Sequence, residues 1–179
     1  MSRGRYVHTR PWLGAWLLAL GCAESGHGDS VGTQPEGAQL EPDCTRSGAF
    51  EVELGEGEDV FVPLAADAQP LLYHGAQGGT HLVLAARVTT PDPIDRYEVT
   101  LVAEAGQDCS AGTCASFTTI GEIDLVIAGS RVLVGTGEVE IPSLFLVVDG
   151  WEGAPLRRLT LEVADACDRR ASTARTFEP

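Results

Sequence analysis

The sequence predicts an all-β domain, an antiparallel two-sheet β-sandwich of immunoglobulin-like architecture, behind a disordered N-terminal tether. Three observations lead there. From Cys44 onward, segment after segment alternates apolar and polar residues with period two and is bounded by Gly, Pro or Asp. No stretch of that region carries a helical period, so the strands lack crossover helices and pair antiparallel. The 179 residues, 44% hydrophobic and 21% charged, supply enough apolar material for one core.

Taken in order, residues 1–21 carry Arg3, Arg5 and Arg10 with no acid, then an uncharged apolar stretch with Trp12, Leu13, Trp16, Leu17, Leu18 and Leu20. That run is too short to cross a hydrocarbon core of about 30 Å, and its charge pattern is that of a secretory signal peptide. It ends in Leu18-Ala19-Leu20-Gly21-Cys22, which resembles the lipobox of bacterial lipoproteins. The resemblance implies a diacylated Cys22 as the mature N-terminus and a membrane held through acyl chains. Ala23 follows the cysteine. In the well-studied bacterial sorting scheme, the absence of Asp there directs a lipoprotein to the outer rather than the inner membrane.

Residues 22–43 hold four glycines after the anchor, Pro35, Pro42 and five acids, with almost no large apolar side chain. Such a segment buries too little to offset its ordering entropy and reads as a flexible linker with a typical span of about 25 Å. Residues 44–179 form the domain. Strands are expected where Phe50, Val52 and Leu54 alternate with Glu51 and Glu53, and again at 82–88, 97–103, 123–127, 139–141 and 159–163. Further strands are expected at 60–64, 131–134 and 144–149, eight to ten in all.

Five cysteines are an odd number for an exported chain. Lipidation of Cys22 leaves Cys44, Cys109, Cys114 and Cys167. Of the three connectivities, sequence separation favours Cys109 with Cys114, in a hairpin loop at 106–112, and Cys44 with Cys167, joining the ends of the domain. Chain entropy makes the short loop worth about 2 kcal/mol and the long one about 5 kcal/mol. A metal site on the C-x4-C spacing lacks a second cysteine pair or a spaced histidine pair.

The candidate ligand contacts are few. Tyr73-His74-Gly75-Ala76-Gln77-Gly78-Gly79-Thr80-His81 opens a strand with three glycines in five positions. Either His74, Gln77 and His81 face a ligand, or the glycines form a turn that sets register. Trp151, in a loop before the last expected strand, either presents a ring for sugar stacking or protein contact, or folds back over the open end of the sandwich. Acids at Glu56, Glu58 and Asp59 and at Asp92 and Asp95 sit beside turn residues, without the residue order of a dedicated calcium loop. No cofactor is expected.

The Gln-Gly-Gly-x-His start of a strand ending in Arg87, with a later strand running into Asp165-x-Cys167-x-Arg169-Arg170, resembles a set of uncharacterised lipoproteins from GC-rich bacteria. The resemblance implies the fold and the location and brings no catalytic residue. Nucleophilic chemistry has no G-x-S-x-G, and Ser130 is followed by Arg131 rather than an elbow. A net charge of -14, more negative still without the signal segment, excludes nucleic acid and anionic lipid headgroups as partners. The expectation is a non-catalytic contact or structural module of the cell envelope, touching another envelope protein. The alternative is a carbohydrate-binding module for wall or surface glycans.

Overall fold

The computed structural model describes residues 44–45, 47–65, 68–76 and 78–179. The signal segment, Cys22, the tether and Gln77 lie outside the described residues. The described chain is all-β: β1 (Glu51–Glu56), β2 (Val62–Pro63), β3 (Leu72–His74), β4 (Thr80–Thr89), β5 (Arg96–Gln107), β6 (Ser116–Ala128), β7 (Leu133–Val134), β8 (Glu138–Val147), β9 (Arg157–Asp165) and β10 (Arg170–Phe177). A short 3-10 turn at Gly129–Arg131 precedes β7.

One sheet runs β2-β1-β4-β8-β7, with β3 also paired to β4, and the other runs β10-β9-β5-β6. All the pairings are antiparallel. With β1, β4, β8 and β7 facing β10, β9, β5 and β6, the strand order is that of an immunoglobulin-type sandwich. The period-two alternation does what the sequence predicts. Leu82, Leu84, Ala86 and Val88 of β4, Leu144 and Leu146 of β8 and Val148 just after it are buried against Val99, Leu101, Leu159, Leu161 and Val163 of the second sheet. Each buried leucine or valine contributes about 1.5–3 kcal/mol of transfer free energy.

Several boundaries differ from the expectation. Segment 60–64 pairs only at Val62–Pro63, because Phe61 turns back to bury itself on the outer face of the first sheet. Segments 139–141 and 144–147 belong to one strand, β8, which ends two residues before the expected 149 and is bent by a register shift opposite Leu84 and Ala86, with Ser143 at φ 60. In 131–134, the first residues complete the 3-10 turn. The sequence does not signal β3 or β10 as strands. β10 reads Arg-Ala-Ser-Thr-Ala-Arg-Thr-Phe, too small and polar to signal a strand, and its pairing with β9 supplies the missing drive.

The two expected disulfides are both present, Cys44–Cys167 and Cys109–Cys114. The second closes the β5–β6 loop over Gly106, where a Cβ would collide with the Cys114 sulfur. The first sits in a turn built around Asp165. That buried carboxylate accepts from the Cys167 N–H at 2.9 Å and the Arg169 N–H at 3.1 Å on Oδ1, and from the Arg169 Nε at 2.6 Å on Oδ2. Arg169 also donates to the Asp92 carbonyl at 3.1 Å. The Asp-x-Cys-x-Arg motif is thus a clamp that ties β9, β10 and the β4–β5 connection together. Nearby, Tyr97 is fully buried and its hydroxyl accepts from the Ile94 N–H at 3.3 Å. Burial pushes its phenol above its ordinary value.

Two outcomes are expected. Asp165→Ala leaves two backbone donors and a guanidinium without their acceptor, and should destabilise by about 3 kcal/mol or more in urea unfolding. A loss under about 1 kcal/mol would rule out the clamp. Because the folded Tyr97 pKa lies above the unfolded one, its contribution is complete below roughly pH 10 and is lost as pH rises through the folded value. Unfolding free energies between pH 8 and 11.5 should therefore fall more steeply for the wild type than for Tyr97→Phe, and equal slopes would refute this.

Candidate functional site

The β3–β4 hairpin carries the glycine-rich run. Its loop closes by backbone bonds from Gly75 N–H to Gly79 O at 2.7 Å and from Gly78 N–H to Gly75 O at 2.9 Å. Gly78 has φ +85, a conformation that disfavours other residues. Register sets Tyr73 opposite His81 and His74 opposite Thr80. Strand alternation then sends His74 and His81 to opposite faces of the sheet. His74 lies 3.5 Å from the Thr80 hydroxyl and 3.7 Å from a Glu152 carboxylate oxygen. His81 stacks on Tyr73 instead, with ring centroids 5.6 Å apart and planes at 15°. The two histidines do not converge, so they share no ligand site. Among the described residues no three His, Cys, Asp or Glu side chains are grouped to hold a metal ion.

Trp151 is 3% exposed. Its ring tilts against Phe177 at 5.9 Å between centroids, with the Arg157 guanidinium 5.7 Å from the indole. This corrects its candidacy as a ligand contact: the ring closes the end of the sandwich and offers no stacking face. Arg157 is itself buried, bonded to the Glu178 carbonyl at 2.9 Å, and burial lowers its guanidinium pKa from the ordinary value.

What the fold does present is a strip on the outer face of the first sheet. Tyr73, His81 and Val147 form one cross-strand row; Val83 and Phe145 form the next, joined by Leu71 just before β3. Leu71 is 58% exposed, Tyr73 39%, Phe145 49% and Val147 64%. His81 sits between them, its ring 6.1 Å from Phe145. The lower half of the same face is covered by the chain itself. There Phe61 packs over Gly55 and under the Arg87 guanidinium, 4.3 Å from its ring centroid. Arg87 is held by Glu140 at 3.1 Å and Glu53 at 3.8 Å, and the Phe61 N–H donates to Glu140 at 3.2 Å. The upper strip has no such cover among the described residues.

The nearest carboxylates lie at the end of β1 and on the other face. Glu56 accepts from the Leu71 main-chain N–H at 3.3 Å, and Glu152 pairs with His74 away from the strip. The sequence reading named His81 here but missed Leu71, Tyr73, Phe145 and Val147. A signal for two of them was present. Leu144-Phe145-Leu146-Val147-Val148 is an unbroken apolar run where a half-buried strand should alternate, so Phe145 and Val147 have to be outward.

No family model matches the chain, and no curated protein matches it. Among solved structures, the crystal structure of DesR, a beta-glucosidase from Streptomyces venezuelae in complex with D-glucose, is similar at 14% identity and a TM-score of 0.30. The match covers 72% of this chain and 15% of that protein, and nothing of that protein's chemistry transfers with it.

The placements separate scaffold from surface in a measurable way. Trp151→Ala should cost about 3–5 kcal/mol of stability, as large-to-small changes of buried aromatics do. Val147→Ser should stay within about 0.5 kcal/mol, as exposed positions do. Thermal and urea unfolding of both variants checks this, and a Trp151→Ala protein as stable as wild type would overturn the assignment of the ring to the core.

Proposed function

We propose that this chain is an exported lipoprotein, anchored through Cys22, whose β-sandwich acts by contact rather than chemistry on another protein of the cell envelope. The observation that carries the reading is the apolar strip at Tyr73, His81, Phe145 and Val147, uncovered among the described residues, on a face whose other half the chain seals with Phe61. Exposed contiguous apolar surface marks interaction sites. The lipobox-like segment and the Gly- and acid-rich linker after it support the anchor and the reach. Outer-membrane placement follows from Ala23 after Cys22.

A carbohydrate-binding role rested on Trp151, and that ring is not available.

The anchor is tested by labelling cells with a radioactive fatty acid and separating membranes. Wild type should carry the label and sediment with membranes, and Cys22→Ala should lose both. Unlabelled wild type in the soluble fraction would end the lipoprotein reading.

A further inference from the structure

We propose that the second half of β6 is a docking edge for an extended segment of another protein, one that alternates apolar residues with arginine or lysine and adds to the second sheet as a further strand. The inference stands on this edge and is independent of the strip on the first sheet.

A sheet edge carries unpaired N–H and C=O groups, and proteins ordinarily keep such edges short or covered. Three edges here follow that rule. β2 and β7, at the ends of the first sheet, have two residues each. β10 has the segment after β2 beside it, held by Arg175 on the Leu64 and Ala65 carbonyls. β6 is the fourth edge and runs for 13 residues. Midway along it, the Ile120 carbonyl accepts from the Asp149 N–H at 3.0 Å, and a Cβ on Gly121 would collide with the Val147 carbonyl. From Glu122 to Ala128, no strand pairs with its outer side among the described residues. That stretch is about 23 Å long, enough for a strand of ordinary length.

Register identifies the open groups. The Gly129 N–H donates to the Asp95 carbonyl at 3.0 Å, on the β5 side. By antiparallel alternation, residues 127, 125 and 123 bond β5, while Glu122, Asp124, Val126 and Ala128 turn their N–H and C=O groups away from it. Side chains alternate in the same register. Ile123, Leu125 and Ile127 face the core, yet Ile123 and Leu125 are only half-buried, whereas Leu101 and Val99 across from them on β5 are 0% and 1% exposed. An added strand with apolar residues on that side completes their cover.

Glu122, Asp124 and Val126 face outward. The Thr100 hydroxyl, across from Asp124 on β5, donates to that carboxylate at 2.6 Å. Neither Glu122 nor Asp124 pairs with a cation among the described residues. Side chains directly opposite in neighbouring strands lie about 5 Å apart, so cations on the outer side of the incoming strand meet these carboxylates. Arg96, across from Ala128, ends the acidic stretch. A second copy would bring its own Glu122 and Asp124 to this edge, on a chain of net charge -14.

The experiment titrates the full-length protein, purified in neutral detergent, with the peptide Arg-Val-Arg-Val-Arg-Val-Arg and follows backbone amide hydrogen exchange. Slowed exchange is expected at residues 122–128 and not along β10. Glu122→Gln with Asp124→Asn should weaken binding about tenfold. Val126→Pro should weaken it about as much without changing a charge, since the N–H it removes points away from β5 and its ring obstructs an added strand. Unchanged melting temperatures show that both variants fold. Should Val126→Pro fail to fold, two methylated peptides replace it, one altered at the arginine backbone nitrogens and one at the valine nitrogens. Only alternate N–H groups of a strand face its neighbour, so one version should lose binding and the other keep it.

Protection that appears elsewhere, or not at all at millimolar peptide, overturns the inference. So does binding indifferent to Val126→Pro or to both methylations, which is attraction between net charges alone, and so does equal binding of a Glu-Val alternation. Protection of 122–128 without peptide, growing with protein concentration, would give the edge to a second copy and also overturn it. The strip and the anchor are untouched by these outcomes, and the fatty-acid label reports on the anchor alone.

Discussion

The burial of β4 on both faces is the constraint on which the rest of the first sheet depends. β4 bonds to β1 and β3 along one side and to β8 along the other. A strand with one face on a core hides every second residue, yet Leu82, Val83, Leu84, Ala85 and Ala86 are all buried. The inner set is covered by the second sheet. The outer set needs cover from elsewhere, and the chain supplies it unevenly. Over Ala85 and Arg87, the β1–β2 hairpin folds Phe61 back across Gly55, where a Cβ would collide with the ring. Over Val83 the cover consists of Leu71 and Phe145, which are themselves half in water. The candidate contact surface is therefore the unfinished part of a cover that the fold requires.

The second feature is how this acidic chain uses its arginines, the only basic residues apart from histidine that it has. Arg169 locks the Asp165 turn beside the Cys44–Cys167 bond, and Arg87 bridges Glu53 and Glu140 across three strands. Arg158 forms a two-point pair with Glu104, at 2.7 and 3.0 Å, while stacking 4.0 Å over Phe117. Arg175 bonds the Leu64 and Ala65 carbonyls at 2.6 and 2.7 Å and holds the segment after β2 against β10. A planar guanidinium serves several acceptors and a ring face at once, which an ammonium cannot do. These cations are held inside the scaffold, and the chain as a whole keeps a net charge of -14.

The motifs that looked most like a site have structural explanations. The glycine run forms the β3–β4 turn, and Asp165, Cys167 and Arg169 form the clamp. Trp151 plugs the end of the sandwich. The surface that does stand out comes from residues with no motif at all, because its meaning depends on which strands lie beside them. Val147 is one valine among many until register sets it beside His81, and His81 beside Tyr73.

The sequence by itself determined the class of fold, most of the long strands and both disulfides. These follow from local rules: period-two alternation, turn residues at the boundaries, and pairing by chain separation. It also held the one irregularity at 144–148 that marks β8 as apolar on both faces. Only the tertiary structure decided that β10 is a strand, that Trp151 is inside, that His74 and His81 part to opposite faces, and that Phe61 covers one half of a sheet. Each of those outcomes is set by a neighbour distant in sequence. The burial of a side chain is decided by what lies across from it, which alternation along a single strand does not encode.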